Sequence, residues 1–199
     1  KEYLTQREIE MMGLFYNGGA WPNKDASITM SIGEAMGGST LMYTGVTFRL
    51  PDEVIQDWGI EGITPEDMKP RFDQIEKEIN VIEPTEEMTN DNNRLFKEGC
   101  DKLGFLVEKI PLNLRDCEQM AFCNLGCAKG HKQGTANVQI PAAQSAGIEL
   151  IPNCRVSFVK ENEVHATITD APEGTIPSLI SIGEYNFKAK KIIISGGTA

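Results

Sequence analysis

The chain has 199 residues, 40% of them hydrophobic, and a formal net charge of −10. That length fits one or two small domains with a buried core. The negative charge argues against nucleic acid and anionic membrane surfaces as partners, because both are bound through basic patches. No apolar run reaches the roughly 18 to 20 residues of a membrane-spanning helix.

Five cysteines occur, an odd number in a chain too long to need a disulfide scaffold. We therefore expect reduced thiols and a cytoplasmic location. The first residues carry no signal-peptide pattern. Because the chain begins without methionine and ends on an apolar segment followed by a glycine-rich turn, we expect it to be an internal piece of a longer protein.

The first half of the chain predicts helices separated by turns. Residues 5–16 combine a capping box with an apolar stripe and predict a helix. Residues 27–32 alternate as in a strand, 33–45 form a small-residue turn region, and 51–62 predict a loop with a short helical turn. Two amphipathic helices follow, at 64–80 with Thr64 as N-cap and at 91–103 with Gly104 as the stop, joined by an acidic linker at 83–90.

The second half predicts a long loop and then strands. Residues 105–111 predict a strand, 112–134 a loop, and 135–146 a helix broken or restarted at Pro141. The remaining predicted strands are 148–151, 154–160, 164–169, 179–182 and 185–195. Because helices and loops come first and strands last, the sequence predicts the α+β fold class.

Two glycine-rich stretches have the composition of phosphate-binding turns. Residues 37–40 read Gly-Gly-Ser-Thr, and residues 195–197 read Ser-Gly-Gly after an apolar segment. Glycine lets backbone amides approach a phosphate closely, and hydroxyls add donors. A flexible turn and a simple strand end are the respective structural alternatives.

The long loop holds Cys117, Cys123, Cys127 and His131. Thiolates and imidazole suit zinc or iron, yet the paired close spacings of common zinc and iron–sulfur sites are missing. A buried or capping thiol cluster and, in an oxidised sample, a disulfide are the alternatives. His165 lies in an alternating strand and is predicted to be a surface residue. Neither histidine forms part of a nucleophile triad.

In order, these pieces resemble the glucose–methanol–choline (GMC) oxidoreductases, in particular the branch of gluconate-type dehydrogenases and long-chain alcohol oxidases. The resemblance spans nearly the whole chain. The stretches that carry it are residues 37–40, 48–51, 58–59, 92–96, 122–135, 140–143, 147, 154–156 and 189–197.

The resemblance implies a partial FAD-binding, Rossmann-like domain with a substrate-side insert. Residues 1–50 would belong to the FAD-binding domain, 51–147 would form the helical and loop insert, and 148–199 would return to the FAD-binding domain as a C-terminal β meander. The implied cofactor-binding residues are Gly37, Gly38, Ser39 and Thr40 along the diphosphate and ribityl chain, Tyr43, Thr44 and Gly45 near the isoalloxazine ring, Val156 at the adenine end, and Ser195, Gly196 and Gly197 on the diphosphate.

The implied reaction is oxidation of an alcohol or polyol, in which a base takes the hydroxyl proton and hydride passes to the flavin. The family's N-terminal dinucleotide-binding unit and its C-terminal histidine pair are not among these 199 residues, and Tyr43 stands where the family usually has asparagine. We therefore assign no catalytic residue and no metal ligand, and expect this chain alone to be inactive.

Two other interpretations remain: a non-catalytic binding or interaction module derived from the same family, and a small metal-binding protein built on the cysteine loop. The expected partner is a small-molecule alcohol, with no nucleic acid and no membrane span. Without the family's first βαβ unit the sheet would keep an unpaired edge, which favours self-association.

Overall fold

The computed structural model describes residues 13–169 and 181–197. It divides the chain into two compact units, Lys1–Ala146 and Gly147–Ala199. Within the described residues, the first unit holds the helices and two small two-stranded sheets, and the second holds a three-stranded sheet. This content confirms the predicted mixture of helices and strands. In the same part of the chain, every helix is too short or too polar to span a bilayer.

Local capping signals set the bounds of the two longest helices. The described helices are α1 Asp52–Asp57, α2 Pro65–Glu78, α3 Asp91–Leu103 and α4 Gln139–Ser145. Thr64 and Asp67 form a capping box at the start of α2, with each side chain accepting from the other residue's backbone N–H. The Asn90 side chain caps α3, and Gly104 ends it at φ 76°. Both predicted helices are confirmed.

Helix α4 begins later than predicted. Residues 135–138 form turns, and the helix starts at Gln139. Pro141 lies in its first turn, where a missing backbone N–H removes no hydrogen bond that the helix needs.

The first unit contains two short antiparallel sheets. Strand β1, Trp21–Pro22, pairs with β2, Thr29–Met30, so that only the middle of the predicted 27–32 strand is formed. Strand β3, Val81–Ile82, pairs with β4, Leu112–Asn113. The predicted strand at 105–111 is wrong: these residues form no ladder, and pairing begins at Leu112.

The second unit is built around three antiparallel strands in the order β5-β6-β7. They are β5 Cys154–Lys160, β6 Glu163–Ile168 and β7 Gly183–Lys188. The β5–β6 register shifts between Val156 and Phe158, because Val156 pairs with Ala166 and Phe158 with His165. Ser157 is therefore the extra residue of a β-bulge.

Other predicted elements differ from the structure or lie outside its described part. Residues 148–151 and 189–195 form no strand, because no neighbouring strand pairs with them among the described residues. Ile193, in the second of these segments, is 89% exposed. Of the predicted 179–182 strand, only Ser181 and Ile182 are described, and neither is in a strand. The predicted 5–16 helix lies outside the described residues except for its last four, where a 3₁₀ helix starts at Tyr16.

The buried centre of the first unit mixes apolar and polar side chains. Met42, Ile55 and Leu114 are its buried apolar residues among those described. The buried polar residues are Asn113, Lys132 and Gln133. Because buried polar groups require hydrogen-bond partners, this part of the fold depends on a network of specific contacts.

Candidate cofactor-binding site

The Gly-Gly-Ser-Thr stretch forms a tight turn that requires glycine. A 3₁₀ helix runs over Gly38–Leu41, preceded by Gly37 in the left-handed region at φ 101°. A Cβ on Gly37 would lie 2.7 Å from the Cβ of Ala136, and one on Gly33 would lie 2.6 Å from the carbonyl carbon of Gly38. Close packing therefore excludes a side chain at Gly33 and at Gly37, and the left-handed backbone also disfavours one at Gly37.

Beside this packed side, the turn has an open one. Gly38 has φ 55°, and no atom of the described residues lies within 4 Å of the position where its Cβ would stand. Ser39 is exposed, and its Oγ accepts a hydrogen bond from the N–H of Gly33 at 3.0 Å. Among the described residues, no side chain lies where an extended polar ligand would approach the backbone at Gly38.

A distant segment holds the turn in place. Thr40 Oγ1 donates to the carbonyl of Gly37 at 2.6 Å and accepts from the N–H of Thr135, 95 residues away, at 3.0 Å. A Cβ on Gly134 would stand 2.8 Å from the carbonyl oxygen of Thr40. The two segments thus pack backbone against backbone.

Tyr43, Thr44 and Gly45 lead from the turn to strand β4. Burial raises the pKa of the Tyr43 phenol, whereas Thr44 is exposed. Gly45 is buried at φ 85°, and its carbonyl accepts from the N–H of Asn113 at 2.9 Å. Asn113 is 1% exposed and donates its Nδ2 to the carbonyl of Gln133. Its Oδ1 is buried, makes no hydrogen bond within the described part of the chain, and lies 3.2 Å from where a Gly45 Cβ would stand.

Lys132 lies beneath the same segment. Its Nζ donates to the carbonyls of Leu41, Tyr43 and Cys123 at 2.5 to 2.6 Å, and lies 5.0 Å from the ring centroid of Tyr43. Burial lowers the pKa of the Lys132 ammonium, although the nearby thiols of Cys123 and Cys127 oppose this shift. Burial also raises the pKa of Cys123.

The cysteine loop encloses a pocket of about 260 Å³. It is lined by Cys117, Cys123, Cys127 and His131 together with Met88, Asn90, Leu114, Glu118, Gln119, Met120, Ala121 and Phe122. All three thiols are free. Over the described ranges, no three His, Cys, Asp or Glu side chains are arranged to hold one metal ion. The loop therefore gathers the thiols around one cavity without forming a recognisable metal-ligand set.

The two histidines make contacts that are typical of structural residues. His131 Nδ1 lies 3.1 Å from the carbonyl of Arg115, and its Nε2 lies 3.3 Å from Glu118 Oε1. His165, predicted to be a surface residue, is instead partly buried and stacks on Phe158 with ring centroids 3.9 Å apart. Within the described residues, neither imidazole forms a hydrogen bond to a hydroxyl or thiol group.

The remaining predicted site residues belong to the second unit. Val156 lies in β5 opposite Ala166 and is 52% exposed. Ser195, Gly196 and Gly197 form an exposed irregular segment, and no atom of the described residues lies within 4 Å of where a Cβ on either glycine would stand. The strand expected to lead into this turn is not formed.

Two buried residues that hydrogen-bond to the backbone of Gly45 or Tyr43 are not predicted from the sequence. Lysine and asparagine usually lie at the surface, so no local sequence pattern predicts that Lys132 and Asn113 are buried. Only contacts between segments far apart in the chain reveal them.

A family comparison agrees with the ordered motifs. The family model for GMC oxidoreductases matches residues 11–199, nearly the whole chain. The chain therefore belongs to the GMC oxidoreductase family, and the matched part is the family's N-terminal domain.

Relatives are similar at low identity. Long-chain-alcohol oxidase FAO3 of Arabidopsis thaliana is 26% identical over 74% of this chain and 20% of its own length. Long-chain-alcohol oxidase FAO4A of the same plant is 27% identical over 75% of this chain and 21% of its own length. An uncharacterized GMC-type oxidoreductase of Mycobacterium tuberculosis is 26% identical over 75% of this chain and 25% of its own length. The chain thus spans a fifth to a quarter of these relatives. No solved structure matches it significantly.

Proposed function

We propose that this chain is part of the FAD-binding region of an oxidoreductase that oxidises an alcohol by hydride transfer to the flavin. The observation that carries the proposal is the turn at Gly37–Thr40, which is packed on one side and open at Gly38, in a chain that belongs to the GMC family. The names of the plant relatives favour an alcohol as substrate.

The described residues fit such a cofactor. The open backbone at Gly38 suits the diphosphate and ribityl chain, with Gly37, Ser39 and Thr40 beside it. The Oδ1 of Asn113, next to Gly45, accepts no hydrogen bond from the described residues and suits a ligand that donates an N–H, as the flavin ring does. For Tyr43, Thr44, Val156, Ser195, Gly196 and Gly197, cofactor contact stays a prediction.

Bound FAD would supply the hydride acceptor. In our proposal, the residues of this chain bind and orient the cofactor. The turn at Gly37–Thr40 would hold the diphosphate, and the half-buried Tyr43 and the buried Gly45 would lie beside the ring. We assign no proton-transfer group to the described residues. Residues 1–50 and 148–199 belong to the FAD-binding domain, and 51–147 to the substrate side, in the same proposal.

The experiment is FAD titration of the longest natural reading frame that contains this chain, with Ser39→Asp as the variant. Ser39 is exposed, so an aspartate is compatible with folding, and its charge beside the diphosphate should weaken FAD binding about tenfold. Asn92→Asp adds the same charge at an exposed position in the first turn of α3 and should leave FAD affinity unchanged.

Bound flavin is then mixed without oxygen with primary alcohols of increasing chain length, and bleaching of its visible absorbance is followed. Bleaching supports the oxidoreductase. FAD binding without reduction by any alcohol would favour the non-catalytic module, and absence of FAD binding would contradict both the cofactor and the activity.

A further inference from the structure

Lys132 is a buried cation with no carboxylate partner among the described residues. Its side chain is 2% exposed. Burial of an ammonium is unfavourable unless each N–H finds an acceptor. The carbonyls of Leu41, Tyr43 and Cys123 supply three acceptors, at 2.6, 2.5 and 2.5 Å. The three donors of the ammonium are therefore all used on backbone.

These carbonyls belong to the two segments that the ammonium joins. Leu41 ends the Gly38–Leu41 turn, where carbonyls lack helical partners, and Tyr43 follows two residues later. Cys123 opens a second 3₁₀ helix, Cys123–Leu125, in the cysteine loop. The lysine ammonium is compact and carries three donors on a flexible stem, whereas an arginine guanidinium is larger and holds its donors in one plane.

Lys132 is itself anchored. Its backbone forms a β-bridge with Leu114, and its carbonyl accepts from Asn137 Nδ2 at 2.7 Å. Three residues later, the N–H of Thr135 donates to Oγ1 of Thr40, the residue directly before Leu41. The 132–135 segment thus holds the C-terminal end of the turn in two ways, through the Thr40 hydroxyl and through the carbonyls of Leu41 and Tyr43.

We propose that Lys132 is a positioning residue for the cofactor: its ammonium fixes the backbone from Leu41 to Tyr43 and so keeps residues 37–45 in the shape that FAD binds. This inference rests on the proposed function. It assigns Lys132 no contact with FAD and no proton transfer.

The test compares Lys132→Met with Lys129→Met in the full-length protein. Methionine keeps the length of the side chain and removes its donors. Lys129 is exposed and pairs only with Glu118 among the described residues, so the same substitution there is a matched control. Without FAD, amide hydrogen exchange should accelerate in Lys132→Met at residues 38–45 and 123–125 and stay unchanged in α2. FAD affinity should fall about tenfold, from the loss of charge-assisted hydrogen bonds.

The outcomes separate this inference from the proposed function. Failure of the unmodified protein to bind FAD would overturn the proposed function. Normal FAD binding by a folded Lys132→Met, or exchange that accelerates equally in α2, would overturn the positioning role alone. If Lys132→Met does not fold, Lys132→Arg keeps the charge and should show the same local acceleration, since a larger group with its donors in one plane does not reproduce the three short hydrogen bonds of the ammonium. Unmodified behaviour of that variant would contradict the inference.

Discussion

Gly134 lies where the 132–135 segment crosses the Gly38–Leu41 turn. Its missing side chain lets the two backbones approach, because a Cβ there would stand 2.8 Å from the Thr40 carbonyl oxygen. Gly134→Ala should therefore lower the free energy of unfolding by about 1 to 3 kcal/mol, as other overpacking substitutions do. Urea denaturation measures the change.

Gly99→Ala is the matched control. Gly99 lies within α3 with nothing within 4 Å of its Cβ position. Alanine there should raise the free energy of unfolding by about 0.5 to 1 kcal/mol, because it favours the helix over the unfolded chain. Equal effects at the two glycines would show that close packing at Gly134 is not what requires glycine.

The candidate site could be predicted from sequence only where local chemistry specifies it. The backbone at Gly37 is left-handed, a conformation that glycine readily adopts, so the Gly-Gly-Ser-Thr stretch can be recognised from the sequence. Lys132 and Asn113 reach their positions through contacts with Leu41, Tyr43, Gly45 and Gln133, and no local pattern reports such contacts.

At the scale of elements, α3 depends on a single capping side chain. Asn90 Oδ1 accepts from the N–H of Asn93 at 2.9 Å. Asn90→Ala should lower the free energy of unfolding by about 1 kcal/mol. Asn92→Ala removes the same side chain two residues away, where no hydrogen bond forms among the described residues, and should be neutral or slightly stabilising. Thermal unfolding of both variants is the measurement, and a larger loss at Asn92 would contradict the role of the cap.

Helices were easier to predict than strands because their signals are local. Thr64 with Asp67, and Asn90 with Gly104, mark helix ends within the segment itself. A strand needs a partner from elsewhere in the chain, and residues 105–111, 148–151 and 189–195 have none in the described structure. Alternating or apolar sequence alone could not distinguish them from strands that pair.

At the scale of the molecule, several carboxylates depend on cationic neighbours. Arg49 holds the pKa of Glu76 below its usual range, and Lys69 followed by Arg49 does the same for Asp73. A carboxyl group with a lowered folded-state pKa contributes stability above its unfolded pKa, about 4, and loses it as pH falls through the folded value. The free energy of unfolding should therefore decrease from pH 5 to pH 2, roughly the range in which these carboxyl groups become protonated.

Urea midpoints across that range test the expectation. Arg49→Gln removes the cation common to both carboxylates and should flatten the decrease. Because these side chains are exposed, the effect should also shrink in high salt. A profile unchanged by the substitution would contradict the assignment.

Self-association remains a prediction for the isolated chain. In the described sheet, β5 and β7 each pair only with β6, so each has an unpaired edge, and Phe158 is exposed on β5. Sedimentation velocity should show oligomers that increase with concentration. Val159→Lys on β5 should reduce them, whereas Ile60→Lys, at another exposed apolar position in the first unit, should not. A monomer at every concentration would contradict the prediction.

Because of the bulge at Ser157, strand β5 should tolerate the deletion of Ser157 better than the deletion of a paired residue. Because Ser157 is paired with no residue of β6, its deletion would leave the other β5–β6 pairs from Cys154 to Lys160 intact, together with the face that each side chain occupies. It would cost mainly the hydrogen bond from Ser157 Oγ to the carbonyl of His165. Deleting Arg155 instead would move Cys154 to the opposite face. We therefore expect the chain without Ser157 to keep its thermal unfolding transition nearly unchanged, and the chain without Arg155 to lose it.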